Sequence, residues 1–331
     1  MDRRRRALLL APALMLPPAA AATAGQAAAP PPWRPDRPVR AIVPFAPGGA
    51  TDVVARVVAE AAGTLLGQPF VIENRPGGAA GLIGSEAVAK AAPDGHTILI
   101  HSNAHVIAPA LVARMPFDVI RDFAAVAHLG RIPQVLVVNL RLPVTDMRSL
   151  LDWLRANAGR VNFASAGIGS ANHLASEVFR AAAKAEVQMV QYRGGGPAMQ
   201  AVIAGEAHMC IDPVASAVGH IRGGTVRPIA VAGASRSAVL PEVPSASEAG
   251  LPAWSAAAWV AAFAPARTPP AAIAALNAAF NEAMVRIEPR LTELAIERRP
   301  ELASPEALEA FVREDAARSQ QVLRDAGVRP E

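Results

Sequence analysis

Val39 to Phe45 is a short, β-branched, almost uncharged run, and it stops at Pro47-Gly48-Gly49. Such a run suits a strand buried on both faces of a parallel sheet. Beyond it Asp52 opens a segment in which Val54, Val57, Val58, Ala61 and Leu65 recur at helical spacing, so the chain reads strand, glycine turn, helix. That order aims unpaired helix N–H groups at whatever sits above the strand's carboxyl end. Gly48 and Gly49 let a ligand approach the backbone with no Cβ in the way. Alone, such a turn is more often a purely structural element of an α/β protein.

The same grammar repeats. Strands are expected at Phe70 to Glu73 and His96 to His101, with a helix from Leu82 to Ala91 between them and helix-like chain from Val106 to Ala113 after them. An irregular link follows, and Gln134 to Asn139 is the strand that crosses to a second lobe. There Thr145 caps a helix to Asn157, and Val161 to Ser165 runs into a second glycine turn, Ala166 to Ser170, ahead of a helix through Leu174, Val178 and Phe179. Val187 to Arg193, Ala207 to Ile211 and Arg227 to Val231 supply further strands. Trp259 to Ala264 crosses back, and the rest is helical, with Ser304-Pro305 a good helix start. The fold class is therefore α/β, with one lobe in each half of the chain. Residues 37–137 with 252–331 form the first lobe and 138–251 the second.

Residues 1–24 read as an export signal: Arg3 to Arg6 are a basic start, Ala7 to Leu16 an apolar stretch too short to span a bilayer, and Ala22-Thr23-Ala24 a cleavage site. Either the Sec or the twin-arginine route suits it. Residues 25–36 form a flexible, proline-rich leader. Removing the signal's four arginines and Asp2 lowers the formal charge from +4 to about +1, and aromatics are only 4% of the chain. Scattered basic residues with so few aromatics argue against a nucleic-acid groove. The single cysteine, Cys210, has no disulfide partner and reads as a buried thiol.

Two lobes that each end a strand in a glycine turn make a cleft with two facing sets of amide donors, a place for a small carboxylate. Several side chains near these turns have two readings. Asp52 is a ligand contact or the cap of the first helix; Ser165 and Ser170 donate to a carboxylate or cap the helix that follows. His173 bridges to the ligand or is a hydrogen-bonded, half-buried histidine, and Asn103 is a donor or a turn former. Arg193 pairs with an anion or lies at the surface, and Asp212 floors the pocket or makes a turn. Trp259 belongs to the core.

The stretches Pro44 to Gly49 with Asp52 and Arg56, Glu73 to Gly77, Pro93-Asp94-Gly95 with Thr97, Ser165-Ala166-Gly167 with Gly169, His173 and Leu174, Tyr192-Arg193-Gly194 with Pro197-Ala198, and Glu248 to Pro252 stand in one order. In that order they resemble the Bug-type solute-binding proteins of tripartite tricarboxylate transporters, from Pro38 to Ala326. The resemblance implies a two-lobed periplasmic binding fold of type II that closes on a small organic acid and delivers it to membrane transporter subunits. It implies no cofactor, metal or catalysis, a monomer, and a periplasmic address. Carried over to this chain, the pincers on the carboxylate are Phe45, Ala46, Pro47, Gly48, Gly49 and Asp52 on one side. On the other are Ser165, Ala166, Gly167, Gly169 and Ser170, with Ser102, Asn103, His173, Arg193 and Asp212 nearby. The chain departs from the family pattern at His96, Ala108, Ala261 and Gly195, and Gly195 with the loop from Ser102 to His105 bears on specificity.

Two rival functions use the same residues. An exported hydrolase would draw on Ser165, Ser170, His173 and Asp52 or Asp212, yet no G-x-S-x-G elbow is present. The single cysteine gives no C-x-x-C metal-binding spacing. A sensor would keep the binding fold and pass occupancy to a membrane kinase.

Overall fold

Val39 to Val43 is buried on both faces except at exposed Arg40, and it forms the centre of a parallel trio. The computed structural model describes residues 33–192 and 194–330; the expected export signal and most of the leader lie outside the described residues. Its description begins at Trp33, whose ring packs 5.6 Å from that of His96 against the first lobe. The first lobe runs β1 (Val39–Val43), α1 (Ala50–Leu66), β2 (Phe70–Asn74), α2 (Leu82–Ala89), β3 (Thr97–Ser102) and α3 (Ala104–Ile107). Next comes β4 (Phe123–Val138), a strand of 16 residues that begins well before the stretch its sequence suggests. The expected strand began only at Gln134. Alanines, His128 and Gly130 obscure the earlier half, and two register shifts, at Ala125/Ala127 and His128/Gly130, break its alternation.

The second lobe follows as α4 (Met147–Ala156), β5 (Asn162–Ser165), α5 (Ala171–Ala183), β6 (Gln188–Gln191), α6 (Gly195–Ala204), β7 (Met209–Pro213), α7 (Val214–Arg222) and β8 (Arg227–Val231). The chain returns through β9 (Ala257–Pro265) to α8 (Pro270–Arg286), α9 (Glu288–Glu293) and α10 (Pro305–Asp325). Ser304 caps α10 as expected, by accepting the Ala307 N–H at 3.1 Å. For α4 the cap is Asp146, not Thr145: Asp146 accepts the Ser149 N–H at 2.8 Å and the serine hydroxyl reaches back, a reciprocal box.

The strand order is β2-β1-β3-β9-β4-β7-β5-β6, with β8 also on β4. Strands β1, β2 and β3 are parallel, as are β5, β6 and β7, so each lobe keeps its glycine turns on one rim. The lobes share β4. From Phe123 to Pro133 it pairs with β9, and from Gln134 to Val138 with β7. Pro133 has no N–H to give to a ladder, so the handover falls where the backbone cannot hold one partner continuously.

Each lobe buries both sheet faces. In the first, Val54, Val58, Leu276 and Phe280 cover one face and Val88, Leu308 and Val312 the other. In the second, alternate residues of β4 divide between Leu150 and Phe179 on one side and Val202 and Ala217 on the other. Burying each valine, leucine or phenylalanine among them contributes about 1.5–3 kcal/mol. A smaller apolar cluster joins the lobes: Ile107, Ala110 and Leu111 meet Leu174 of α5 and Leu323 of α10.

Candidate functional site

The first glycine turn is exposed from Ala46 to Ala50, above the buried strand. Gly49 is the residue ahead of α1, and no side chain caps it. The sequence put Asp52 in that place. The helix starts earlier, and Asp52 reaches back from its third position to accept the Gly48 N–H, Arg56 Nε and Asn74 Nδ2, each at 2.9 Å. Asn74 Nδ2 also lies 3.0 Å from the Phe45 carbonyl. Burial would raise the pKa of Asp52, but the bonds from Arg56, Gly48 and Asn74 outweigh it and hold the carboxyl below its ordinary value. The turn is thereby braced from behind while the first helical N–H groups, of Ala50 and Thr51, have no intrahelical acceptor.

Beneath the turn the Phe45 ring stands edge-on to His101, 5.2 Å away. His101 is buried and its Nε2 lies 3.1 Å from the Ala80 carbonyl; burial and neighbouring His105 push its pKa well down. Ser102 Oγ accepts the Ala104 N–H at 3.3 Å, and Asn103 precedes α3 with a buried Oδ1 that has no protein partner.

The second turn behaves differently. Ser165 ends β5 fully buried, its Oγ unpartnered. Ser170 caps α5 by accepting the His173 N–H at 3.0 Å, one of its two expected readings. His173 is buried, its Nδ1 accepts the Gly169 N–H at 3.2 Å, and its Nε2 is 3.8 Å from Glu177. Burial lowers the His173 pKa, with Glu177 opposing and Arg180 adding to the shift. Gly169 and His173 therefore satisfy one another, and that amide is not free for a ligand. Ala166 and Gly167 are half-buried, and Gly167 lies beside the Tyr192 carbonyl. Arg193 lies outside the described residues.

A third junction, between β7 and α7, completes the arrangement. Asp212 is buried at the strand end; Asn172 Nδ2 donates to its Oδ1 at 2.7 Å, and the Ser216 hydroxyl donates to its Oδ2. Burial raises the Asp212 pKa against the pull of these bonds. A Cβ on Gly195 would sit 2.8 Å from Asp212 Oδ1, so the missing side chain is what admits the carboxyl. Asn172, Ser216 and the whole of α7 went unread in the sequence. The signal was there: Pro213 directly after a strand marks a helix start.

Between the lobes lies a cavity of about 270 Å³. Gly48, Ala50, Val53 and Val54 line it from the start of α1, and Pro213, Ala215 and Ser216 from the start of α7. Ile132 of β4 closes one wall with Leu294 and Ile296. Two helix starts thus share one hollow, but the second is that of α7, where the sequence pointed to α5. The α5 start stands alongside: Ala171 packs on the same first-lobe core as Phe45, and Asn172 reaches Ser216 through Asp212. A larger hollow, about 610 Å³, lies on the outer face between α1 and β2. Among the described residues no cluster of three His, Cys, Asp or Glu side chains is placed to hold a metal ion, and no helix is long and apolar enough to cross a membrane.

Residues 54–328 match the model of the tripartite tricarboxylate transporter family receptor. The chain belongs to this family. Solved structures agree: the periplasmic binding protein BugD is 30% identical, with a TM-score of 0.78 over 90% of this chain and 100% of its own. MatC from Rhodopseudomonas palustris, with bound malate, is 36% identical, with a TM-score of 0.76 over 87% of this chain and 99% of MatC. A further R. palustris protein, solved with adipate, is 32% identical, with a TM-score of 0.78 over 90% and 99% of the two chains. The receptor is a Bug-type solute-binding protein with the two-lobed fold of its relatives, a family of periplasmic receptors.

Proposed function

We propose that this receptor captures a small organic carboxylate in the interlobe cavity and delivers it to the membrane subunits of a tripartite transporter. It is exported by its N-terminal signal, acts as a monomer in the periplasm, and leaves its ligand chemically unchanged. Its lobes are residues 37–137 with 252–331, and 138–251. The observation that carries the reading is the cavity itself, bounded by the starts of α1 and α7 with exposed Gly48 and Ala50 at its mouth. Helix starts favour anions without any cationic side chain. Malate and adipate in two relatives support the ligand class. On the first-lobe side the ligand meets Phe45 to Asp52; on the second it meets Ser216, which Asp212 holds from behind, with Ser165 to Ser170 at the margin.

Against the hydrolase, the candidate base His173 is occupied by the Gly169 N–H and the candidate nucleophile Ser165 has no partner. Calorimetric titration of the mature protein against a panel of organic acids tests the proposal, with each bound acid recovered and assayed. Saturable binding with the acid intact is expected. Turnover, or no binding of any carboxylate, overturns it.

A further inference from the structure

We propose that the ligand is an amphiphilic monocarboxylate: one carboxylate at the paired helix starts and an apolar body against the hinge-side wall. The inference rests on the carboxylate-receptor reading and narrows its ligand class.

The wall decides it. Away from the helix starts the cavity is bounded by Val54, Ile132, Leu294 and Ile296, and none of the described residues lining it carries a charge. A carboxylate taken out of water needs donors or a cation in exchange, and a valine, leucine and isoleucine wall supplies neither. Among the described residues the cations close by are committed elsewhere. Arg56 is held by Asp52 and Asn74. Arg131, next to Ile132, pairs with Glu297 and faces a different hollow, one shared with His128 and Trp259. The alternation of β4 places Arg131 on one side and Ile132 on the other, so the guanidinium has no route into the interlobe cavity. The polar groups are gathered at one end, where the α1 start faces the hydroxyl of Ser216, itself held by Asp212.

Size agrees. At about 30 Å³ of liquid volume per water, 270 Å³ holds the equivalent of roughly nine waters, the scale of a C6 to C8 acid. An apolar chain or ring gains from leaving water in such a space, while a second carboxylate loses its hydration with no replacement.

Hexanoate and adipate make the test, because they share a six-carbon chain and differ by one carboxylate. Calorimetric titration of the mature protein with hexanoate, benzoate, adipate and malate is expected to show hexanoate or benzoate binding at least tenfold tighter than either diacid. Leu294→Arg, at a half-buried position on the wall, is expected to narrow or reverse that ratio while the protein keeps its cooperative melt. Diacids binding tighter than both monoacids would overturn this inference and leave the carboxylate receptor standing. Failure of all four acids, and of the wider acid panel, would overturn both.

Discussion

Leu111 of the first lobe closes over Gly169 of the second so tightly that a Cβ on Gly169 would lie 2.1 Å from Leu111 Cδ1. Gly169 is also in the left-handed region, at φ +75°, so the position excludes a side chain twice over. Leu111, Ile107, Leu174 and Leu323 make this the apolar contact between the lobes on the α5 side. Leu111→Ala is expected to cost about 2–4 kcal/mol, and Gly169→Ala about 1–3 kcal/mol. Both variants should show a larger radius of gyration by solution scattering without ligand and at least tenfold weaker ligand binding. Unchanged scattering and affinity would show that this contact does not hold the lobes together.

Asp52 braces the first turn through three hydrogen bonds, and its folded pKa lies below the ordinary 3.8. Its contribution is therefore complete above pH 3.8 and is lost as the pH falls through the lower folded value. Arg56 is half exposed, which discounts its share. Asp52→Asn is expected to cost about 1–2 kcal/mol at pH 7 by urea unfolding, with the gap to the unaltered protein closing below pH 3.8. A gap that persists undiminished at pH 3 contradicts the assignment.

His105 and His128 are buried, and their pKa values fall to about 4 and about 3. Burial is the leading cause for both, with Arg299 adding to it at His128 and Glu301 opposing. An unfolded histidine takes its proton near 6.5, so below that pH the unfolded chain binds more protons than the folded one. Stability should then decline on acidification by about 1.4 kcal/mol per pH unit for each histidine, from 6.5 toward 4. His128 has no hydrogen-bond partner at either ring nitrogen, so His128→Leu is expected to remove its share of the slope. Urea midpoints taken between pH 7 and 4.5 measure this, and equal slopes for the two proteins would refute it.

Gly49 has room for a side chain: an added Cβ would meet only the Ala46 carbonyl, at 3.8 Å. Gly49→Val should fold with stability changed by no more than about 1 kcal/mol, since the residue is exposed and at an ordinary φ. It should bind ligand at least tenfold more weakly, because the valine stands over the start of α1. Ser165→Ala removes a buried hydroxyl that has no protein partner, so its stability should also stay within about 1 kcal/mol. Its affinity is expected to drop, with titration and melting measured on the same sample. Full affinity in Gly49→Val would remove the first turn from the site.

Local sequence alone carries the fold's grammar: apolar runs for strands covered on both faces, the 3.6-residue recurrence of α1, the Ser304-Pro305 start of α10, and the glycine turns on the strand rim. It also determined membership of the family, through short stretches in a set order. These are readable because burial leaves its period along the chain at the place where it occurs. Which groups face one another was decided only by tertiary structure. Asp52 reads as a ligand contact or a cap, whereas in the fold Asn74, across a strand and a turn, claims its carboxylate. His173 reads as a bridge to the ligand or as a hydrogen-bonded histidine, and the Gly169 N–H on its ring nitrogen makes it the second. The start of α7 shares the cavity with that of α1 because β4 passes between lobes at Pro133 and carries β7 to that spot. A hydrogen-bond partner forty residues away, as Asp212 is for Asn172, leaves no trace in local periodicity, since it depends on how α5 and β7 pack together within the second lobe.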